Sequence, residues 1–348
     1  MTQPLPESRF FHEAARLLAA GRPFYACRVV EAVGSAPRNA GAHMLVFPDG
    51  GIAFTLGGGA VEGRVMREAA MRFDRPRAWV AEHHLGDLGM HCGGVMRVLC
   101  EPGRAQDAPL YRAAAACVER REAFLWACRL PRGEANEVVK AVVPEDGAPR
   151  GDAELARRAV EALTGADWAL HGDVFAQRVH PPLRLLIFGA GHVGAKLAEV
   201  AAATGVFDVE VVDDRAAFAD PERLPFCHAV TLAPPDYRGP LPRPDARTFV
   251  AVITRCHATD QVVVRALLEG EAPFAYLGMI GSVPKRARLL KLLSEDGVPR
   301  ERLERVTTPM GLLSGGKHPG EIAVSMRAEI VQRKNELDGT LEGGRAGW

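Results

Sequence analysis

Apolar positions fall along this chain in two rhythms, and the change between them divides it. In the first half, residues 24–33 (FYACRVVEAV) are rich in β-branched and aromatic side chains and predict a strand, after which GSAPRNAG gathers Gly, Ser, Pro and Asn into a loop. Residues 43–47 and 52–56 flank Pro-Asp-Gly-Gly and predict a hairpin. Its second arm runs into Gly57-Gly58-Gly59, and residues 60–73 then read as a helix. A strand pair around Val80 and Val98 brackets the loop LGDLGMHCGG. Between about 107 and 180 the pattern predicts helices over 113–120 and 153–163, with strands near Leu125 and Val139.

His180-Pro181-Pro182 cannot continue a helix and marks a boundary. Beyond it short apolar runs alternate with helical patterns: LRLLIF, a helix over 191–204, VEVVD, a strand near Phe249, a helix from Asp260, FAYLGMI, a helix after Pro284 and a last helix from Pro319. That alternation predicts a parallel α/β sheet. The expected fold class is therefore α/β, with a C-terminal Rossmann-like parallel sheet and a smaller N-terminal α+β domain. The expected domains are 1–180 and 181–335, followed by a disordered tail over 336–348.

The first strand of the second half opens into Gly189-Ala190-Gly191-His192-Val193-Gly194, the G-x-G-x-x-G pattern in its strand-to-helix setting. Gly189 permits the turn, Gly191 lets backbone approach a pyrophosphate at the helix N-terminus, and Gly194 lets helix and strand pack closely. Asp213 ends the next strand, where a carboxylate is expected to accept from a ribose 2′-OH. These residues predict a dinucleotide site with NAD(P) or another nucleotide as ligand, and Asp213 favours a free ribose hydroxyl. His192 reads as a loop histidine rather than a proton carrier.

Length and composition narrow the class. The 348 residues suffice for two cores, and 47% hydrophobic with 25% charged residues is ordinary for globular protein. Forty-three basic residues balance 43 acidic ones, so no global field gathers nucleic acid or an anionic membrane, and recognition is expected to be local. The N-terminus lacks a signal-peptide pattern and no run is apolar enough to insert into a membrane, so the expected location is the cytoplasm. Seven cysteines without C-x-x-C argue against a disulfide framework or zinc ribbon, and all but Cys92 lie in apolar patterns that read as core.

Candidate chemistry lies in the glycine-rich loops. Residues 34–41 offer the Ser35 hydroxyl, the Arg38 guanidinium, an amide and free backbone N–H groups, the parts of an anion cradle. Gly57-Gly58-Gly59-Ala60-Val61-Glu62 adds a turn without side chains to obstruct a ligand. Cys92 lies among Gly89, Gly93 and Gly94, a setting in which backbone N–H groups favour a thiolate, the form that binds a soft metal or carries sulfur. An alternative zinc site would need His83, His84, His91 and Cys92, but the spacing fits no common zinc pattern and strand neighbours diverge. His257 and Lys285 are the candidate proton donors should the chain be an NAD(P)-dependent oxidoreductase, and with Asp260 and Ser282 they form a candidate further site.

The residues Gly-Ser-x-Pro-Arg-x-x-Gly-x-x-Met (34–44), Gly-Gly-Gly-x-x-Glu (57–62), Gly-Met-x-Cys-Gly-Gly (89–94) and Phe-Gly-Ala-Gly-His-Val (188–193) follow one another in the order of the XdhC/CoxI family. YLGMIGSVPKR (276–286) and PGEIAVS (319–325) agree as well, so the chain resembles the xanthine dehydrogenase accessory factors from about residue 20 to 330. The resemblance implies a non-catalytic chaperone that binds molybdenum cofactor, supports its sulfuration with a cysteine desulfurase and delivers it to a xanthine dehydrogenase-type molybdoenzyme. By that resemblance Cys92 holds molybdenum or sulfur, Ser35, Arg38, Gly57, Gly58, Gly59, Glu62, Gly93 and Gly94 line the cofactor site, and a homodimer is the expected assembly. Two positions depart from the family pattern: Arg255 stands where a histidine is usual, and Leu313 where an aspartate is. The runner-up remains the NAD(P)-dependent oxidoreductase, and a third reading has the Rossmann unit grip the cytidine diphosphate end of a dinucleotide form of the cofactor.

Overall fold

The computed structural model describes residues 9–88, 93–312 and 316–337. The chain divides into two compact units, Met1–Pro181 and Pro182–Trp348. Cys92, Gly89, His91, Leu313 and residues 338–348 of the expected tail lie outside the described residues, while residues 336 and 337 belong to the last helix.

In the N-terminal unit the order is α1 (Phe10–Ala19), β1 (Tyr25–Val33), β2 (His43–Val46), β3 (Ile52–Phe54), α2 (Gly59–Ala70), β4 (Trp79–His84), β5 (Val95–Pro102) and α3 (Ala108–Glu119). There follow β6 (Phe124–Arg129), β7 (Lys140–Pro144), β8 (Arg150–Gly151), α4 (Ala153–Ala162), β9 (Trp168–His171) and β10 (Val174–Val179). These strands form two antiparallel five-stranded sheets, in the orders β3-β2-β1-β5-β4 and β8-β7-β6-β10-β9. The pattern over 107–180 predicts two strands and the structure has five. Two of the additional ones, β8 and β9, are short, and β9 and β10 are joined by the two residues Gly172 and Asp173, with Gly172 at a φ of 64°. With this second sheet the N-terminal unit is no smaller in span than the C-terminal one.

Aromatic side chains join the two sheets: Phe10 and Phe11 of α1 and Tyr111 of α3 pack with Leu45 of the first sheet and Trp126 and Val142 of the second. Arg28 of β1 is buried among them, its guanidinium 5.4 Å from the rings of Phe10 and Trp126 and donating to Gln177 Oε1 at 2.8 Å. A second polar tie links Lys140 of β7 to Glu101 of β5 at 2.7 Å and to Asp107 at 3.1 Å, all three buried. Burial alone would force these charges toward neutrality, so mutual pairing is what lets them remain charged between the sheets.

The C-terminal unit runs β11 (Leu183–Phe188), α5 (His192–Ala203), β12 (Phe207–Asp213), β13 (Ala229–Leu232), β14 (Thr248–Val252), α6 (His257–Glu269), β15 (Tyr276–Met279), α7 (Val283–Glu295), α8 (Arg300–Leu303), β16 (Val306–Thr307) and α9 (Pro319–Leu337). Its strands pair in parallel in the order β13-β12-β11-β14-β15-β16, the doubly wound Rossmann order. Helices α5 and α9 cover one face through Leu197, Ala201, Met326 and Ile330, while α6 and α7 cover the other through Val263, Leu267, Leu289 and Leu293. Burial on both faces explains why β11 from Leu185 onward and β14 after Thr248 read as unbroken apolar runs. The order reverses between β11 and β14, and the crevice at their carboxyl ends is where such sheets take ligands.

The turn from β11 into α5 depends on absent side chains. A Cβ at Gly194 would collide with the carbonyl oxygen of Gly189, whereas one at Gly191 would meet nothing within 4 Å. Gly194→Ala is therefore expected to destabilise the C-terminal unit by about 1–3 kcal/mol through overpacking, and Gly191→Ala to leave its stability near wild type. Equal denaturation midpoints for the two variants would contradict this account of the turn.

Candidate functional site

Three glycine-rich loops of the N-terminal unit meet at the ends of β1, β3 and β5, and the contacts between them exclude larger residues. A Cβ on Gly94 would stand 2.5 Å from the carbonyl oxygens of both Val33 and Ser35, so the chain entering β5 lies directly against the loop leaving β1. Gly34, at φ 74°, faces the Gly94 Cα on the same contact. On the other side a Cβ on Gly57 would stand 2.7 Å from Arg38 Cγ and 2.9 Å from Pro37 Cβ, which brings the Gly57–Gly59 turn against the same loop. The loop from Gly34 to Gly41 is thus held between the other two.

The predicted residues other than Cys92 have definite places in this arrangement. Ser35 is exposed, and Arg38 is half-buried, which pulls its guanidinium pKa below the ordinary value. Gly57, Gly58 and Gly59 all have positive φ, of 113°, 75° and 69°, and Gly58 is the N-cap of α2 without a side-chain cap. Gly58 and Gly93 have open space where a side chain would be, whereas Gly94 is buried. Cys92 itself lies outside the described residues, immediately before the exposed Gly93.

Glu62 turns inward. Its Oε2 accepts from Thr55 Oγ1 at 2.6 Å, from Leu56 N at 2.9 Å and from Gly58 N at 3.2 Å, so one carboxylate oxygen fastens the turn that precedes its own helix. That geometry makes Glu62 a clamp on the loop through its Oε2. His83 and His84 diverge as strand neighbours must: His83 is buried with both ring nitrogens unpaired, while His84 is exposed beside Glu82 at 3.1 Å, so the two cannot share a metal.

The second cluster lies along the carboxyl edge of the parallel sheet. Helices α5, α6 and α7 begin there at the N-caps Gly191, Cys256 and Ser282, none of which makes a side-chain cap, so three sets of N–H groups face one edge. His192 is exposed in the first turn of α5, as Ser282 and Lys285 are at the start of α7. Asp260 is buried, which pushes its carboxyl up, against the lowering effect of bonds from Thr254 N at 3.0 Å and Thr254 Oγ1 at 2.6 Å and of the nearby His257 and Lys285 charges. His257 is exposed with Nδ1 3.7 Å from Asp260 Oδ2. Cys256 departs from the expectation of a core cysteine: it is exposed, and bonds from Thr259 hold its thiol below the usual range.

Asp213 does not fill the role its position suggests. The side chain is fully buried; Oδ2 accepts from Ala190 N at 2.7 Å and Arg215 Nη2 at 2.8 Å, and Oδ1 from Arg215 N at 3.0 Å and Arg215 Nε at 2.8 Å. Burial opposes its charge, but these donors outweigh it and keep its carboxyl below the ordinary range. A carboxylate has about four lone-pair positions, and all four are taken, leaving none for a ribose hydroxyl. Next in the chain to Asp213, Asp214 is bridged to Asp236 by Arg255. The pair Asp213-Asp214 with Arg215 two residues on was the available signal, because a guanidinium so close to the acid can occupy it. Sequence reasoning also missed Glu329, whose buried carboxylate accepts from Tyr276 Oη at 2.9 Å and from Gly311 N.

Residues 17–82 match the family model described as XdhC and CoxI family, and residues 185–330 match the XdhC Rossmann domain. The chain belongs to the XdhC and CoxI family. The first matched stretch of this XdhC-family chain contains Ser35, Arg38 and the Gly57–Glu62 turn, and the second contains the α5 turn and the crevice. Among relatives, the uncharacterized protein YqeB of Escherichia coli K12 is 28% identical over 336 residues, which is 95% of this chain but only 47% of YqeB, so the chain spans about half of that relative. A Bacillus subtilis 168 protein named as a probable xanthine dehydrogenase subunit is 26% identical, with 89% of this chain and 92% of that protein covered. The molybdenum cofactor insertion chaperone PaoD of E. coli K12 is also 26% identical, over 94% of this chain and 89% of PaoD. A crystal structure of a xanthine dehydrogenase from Bacillus halodurans shares the fold, with a TM-score of 0.77 at 24% identity over 94% of this chain and 96% of that one.

Two outcomes follow from the site. Glu62→Ala removes an acceptor shared by three donors and is expected to cost about 1–3 kcal/mol, read as faster hydrogen exchange at the amides of Leu56 and Gly58; unchanged exchange there would contradict the clamp. With Asp213 saturated, calorimetry on the full chain is expected to detect no micromolar binding of NAD or NADP. A micromolar dissociation constant for either would restore the dinucleotide reading.

Proposed function

We propose that this protein is a molybdenum-cofactor accessory factor that carries the cofactor as cargo and hands it to a xanthine dehydrogenase-type molybdoenzyme, without catalysing a reaction of its own. The observation that carries the proposal is the junction of the three glycine loops, where Gly94 lies against Ser35, Gly57 lies against Arg38, and their neighbours Gly93 and Gly58 have open space where a side chain would be. Membership of the XdhC and CoxI family supports it, as does the overall likeness to a relative named as a cofactor insertion chaperone.

The residues suit such a cargo. The molybdenum cofactor presents the phosphate and dithiolene sulfurs of its pterin and an oxygen-sensitive metal. A guanidinium whose burial already disfavours its charge gains most from an anionic neighbour, so Arg38, with the Ser35 hydroxyl and the α2 N-terminus, would grip the negative end. Glycine at 58 and 93 lets backbone approach a flat ring system closely. Cys92, next to Gly93, would supply the soft sulfur ligand for molybdenum, and its loop is the place where we put sulfuration supported by a cysteine desulfurase. We place this work in the cytoplasm, in keeping with six unpaired cysteines among the described residues, and none of the described helices is long and apolar enough to cross a membrane. The oxidoreductase alternative loses its support where Asp213 has no acceptor left for a ribose.

The test is co-purification. Full-length protein made in cells that synthesise molybdopterin is expected to elute with pterin fluorescence and molybdenum. Cys92→Ala should lose most of the molybdenum, and Arg38→Ala should weaken retention of the pterin about tenfold or more. Wild-type protein free of pterin would overturn the proposal, and equal molybdenum in wild type and Cys92→Ala would remove the thiol from it.

A further inference from the structure

At the opposite end of α2 from the glycine loops the N-terminal unit gathers arginines without matching acids. Arg72, Arg75, Arg77 and Arg104 line one open cavity of about 790 Å³ together with Asn136 and a single carboxylate, Glu134. The chain as a whole carries no net charge, so four guanidinium groups against one acid is a local excess that the overall balance does not predict. Helix α2 has 12 residues, which separates this cluster from the Gly57–Gly59 turn by roughly 18 Å at 1.5 Å per residue.

Three of the four side chains are fixed before any ligand arrives. Arg72 stacks on the Trp79 indole, 4.3 Å from its centroid, and donates through Nη1 to Glu68 O at 2.9 Å, with Nε 3.5 Å from Glu134. Arg104 donates through Nη2 to Pro76 O at 2.8 Å and Asn136 O at 3.0 Å, which leaves its Nε buried and without an acceptor. Arg77 donates to the Asn136 side chain. Backbone and amide acceptors orient these guanidinium groups, and Glu134 beside Arg72 offsets only one of the charges. Arg75 has no side-chain partner among the described residues and adds a fourth positive charge to the same cavity wall. Gathering like charges this way is unfavourable unless a negative group enters between them, and oriented guanidinium forks are what recognise phosphate oxygens.

We infer that this cavity is a second anion site, separate from the glycine-loop site, that binds a phosphorylated small molecule carrying a diphosphate. Several guanidinium groups around one space match the spread charge of a diphosphate better than that of a single carboxylate, and a cavity of this size accommodates the rest of a ligand as well as its charged end. The inference depends on the arginines alone and stands whether or not the glycine loops carry molybdopterin.

Inorganic pyrophosphate is the probe, with calorimetry and thermal unfolding on the full chain. Wild type is expected to bind pyrophosphate more tightly than inorganic phosphate, with affinity falling as salt rises, and to unfold at a higher temperature when it is present. Arg75→Glu, at a side chain that ties nothing together, is expected to keep the unfolding temperature of the unliganded protein and to bind pyrophosphate at least tenfold more weakly. Arg38→Ala, in the other anion cradle, is expected to leave this binding unchanged. Failure of wild type to bind, equal binding by Arg75→Glu, or loss confined to Arg38→Ala would each overturn the site. A hexaglutamate peptide that binds more tightly than pyrophosphate, and does so through Arg75, would overturn the small-molecule assignment in favour of an acidic protein partner.

Discussion

The candidate cargo site depends on one backbone approach, that of Gly94 to the carbonyl oxygens of Val33 and Ser35. No residue with a Cβ can sit 2.5 Å from two carbonyls, so glycine there is a steric requirement, and from it follows the side-by-side placement of the loops that leave β1 and enter β5. Gly57 makes the corresponding approach from the other side against Pro37 and Arg38. Glu62 then ties the second loop to the helix that follows it, so the open faces of Gly58 and Gly93 lie on chain segments held by neighbours.

Both units present helix N-termini to candidate anion sites, but they treat charge differently. In the N-terminal unit Arg38 sits half-buried beside an uncapped helix start, a combination that improves when an anion arrives. In the C-terminal unit three uncapped helix starts share one edge, yet the acid that would receive a ribose is saturated by Arg215 and the glycine turn, and Arg255 is held by Asp214 and Asp236. The Rossmann turn therefore has its acid turned inward, bonded to the turn and to Arg215. Fold and ligand separate here, because the same strand order and glycines support either use.

Much of this was legible in the sequence, for reasons that can be named. The run LLIF at the end of β11 is apolar throughout because both faces are covered, and the glycine turn follows at a spacing that few other structures require. Helix α1 was hidden because Arg9 precedes it without a capping side chain, and β9 and β10 because their segments mix polar with apolar residues. For Asp213 and Glu62 the sequence shows the position and hides the partners. Position along the chain reveals which acid ends a strand or opens a helix, while its partners depend on side chains that only the folded structure brings within reach, Arg215 in one case and Thr55 in the other. The arginine cavity was invisible for the same reason, since its members come from three separate loops.

The claim at the centre of this account is that cargo lies against the joined glycine loops and leaves the Rossmann turn untouched. Hydrogen–deuterium exchange on the full chain, with and without molybdopterin, measures that directly. The account predicts slowed exchange across residues 34–41, 57–62 and 93–94 with no change across 189–194. Protection confined to 189–194 would contradict it.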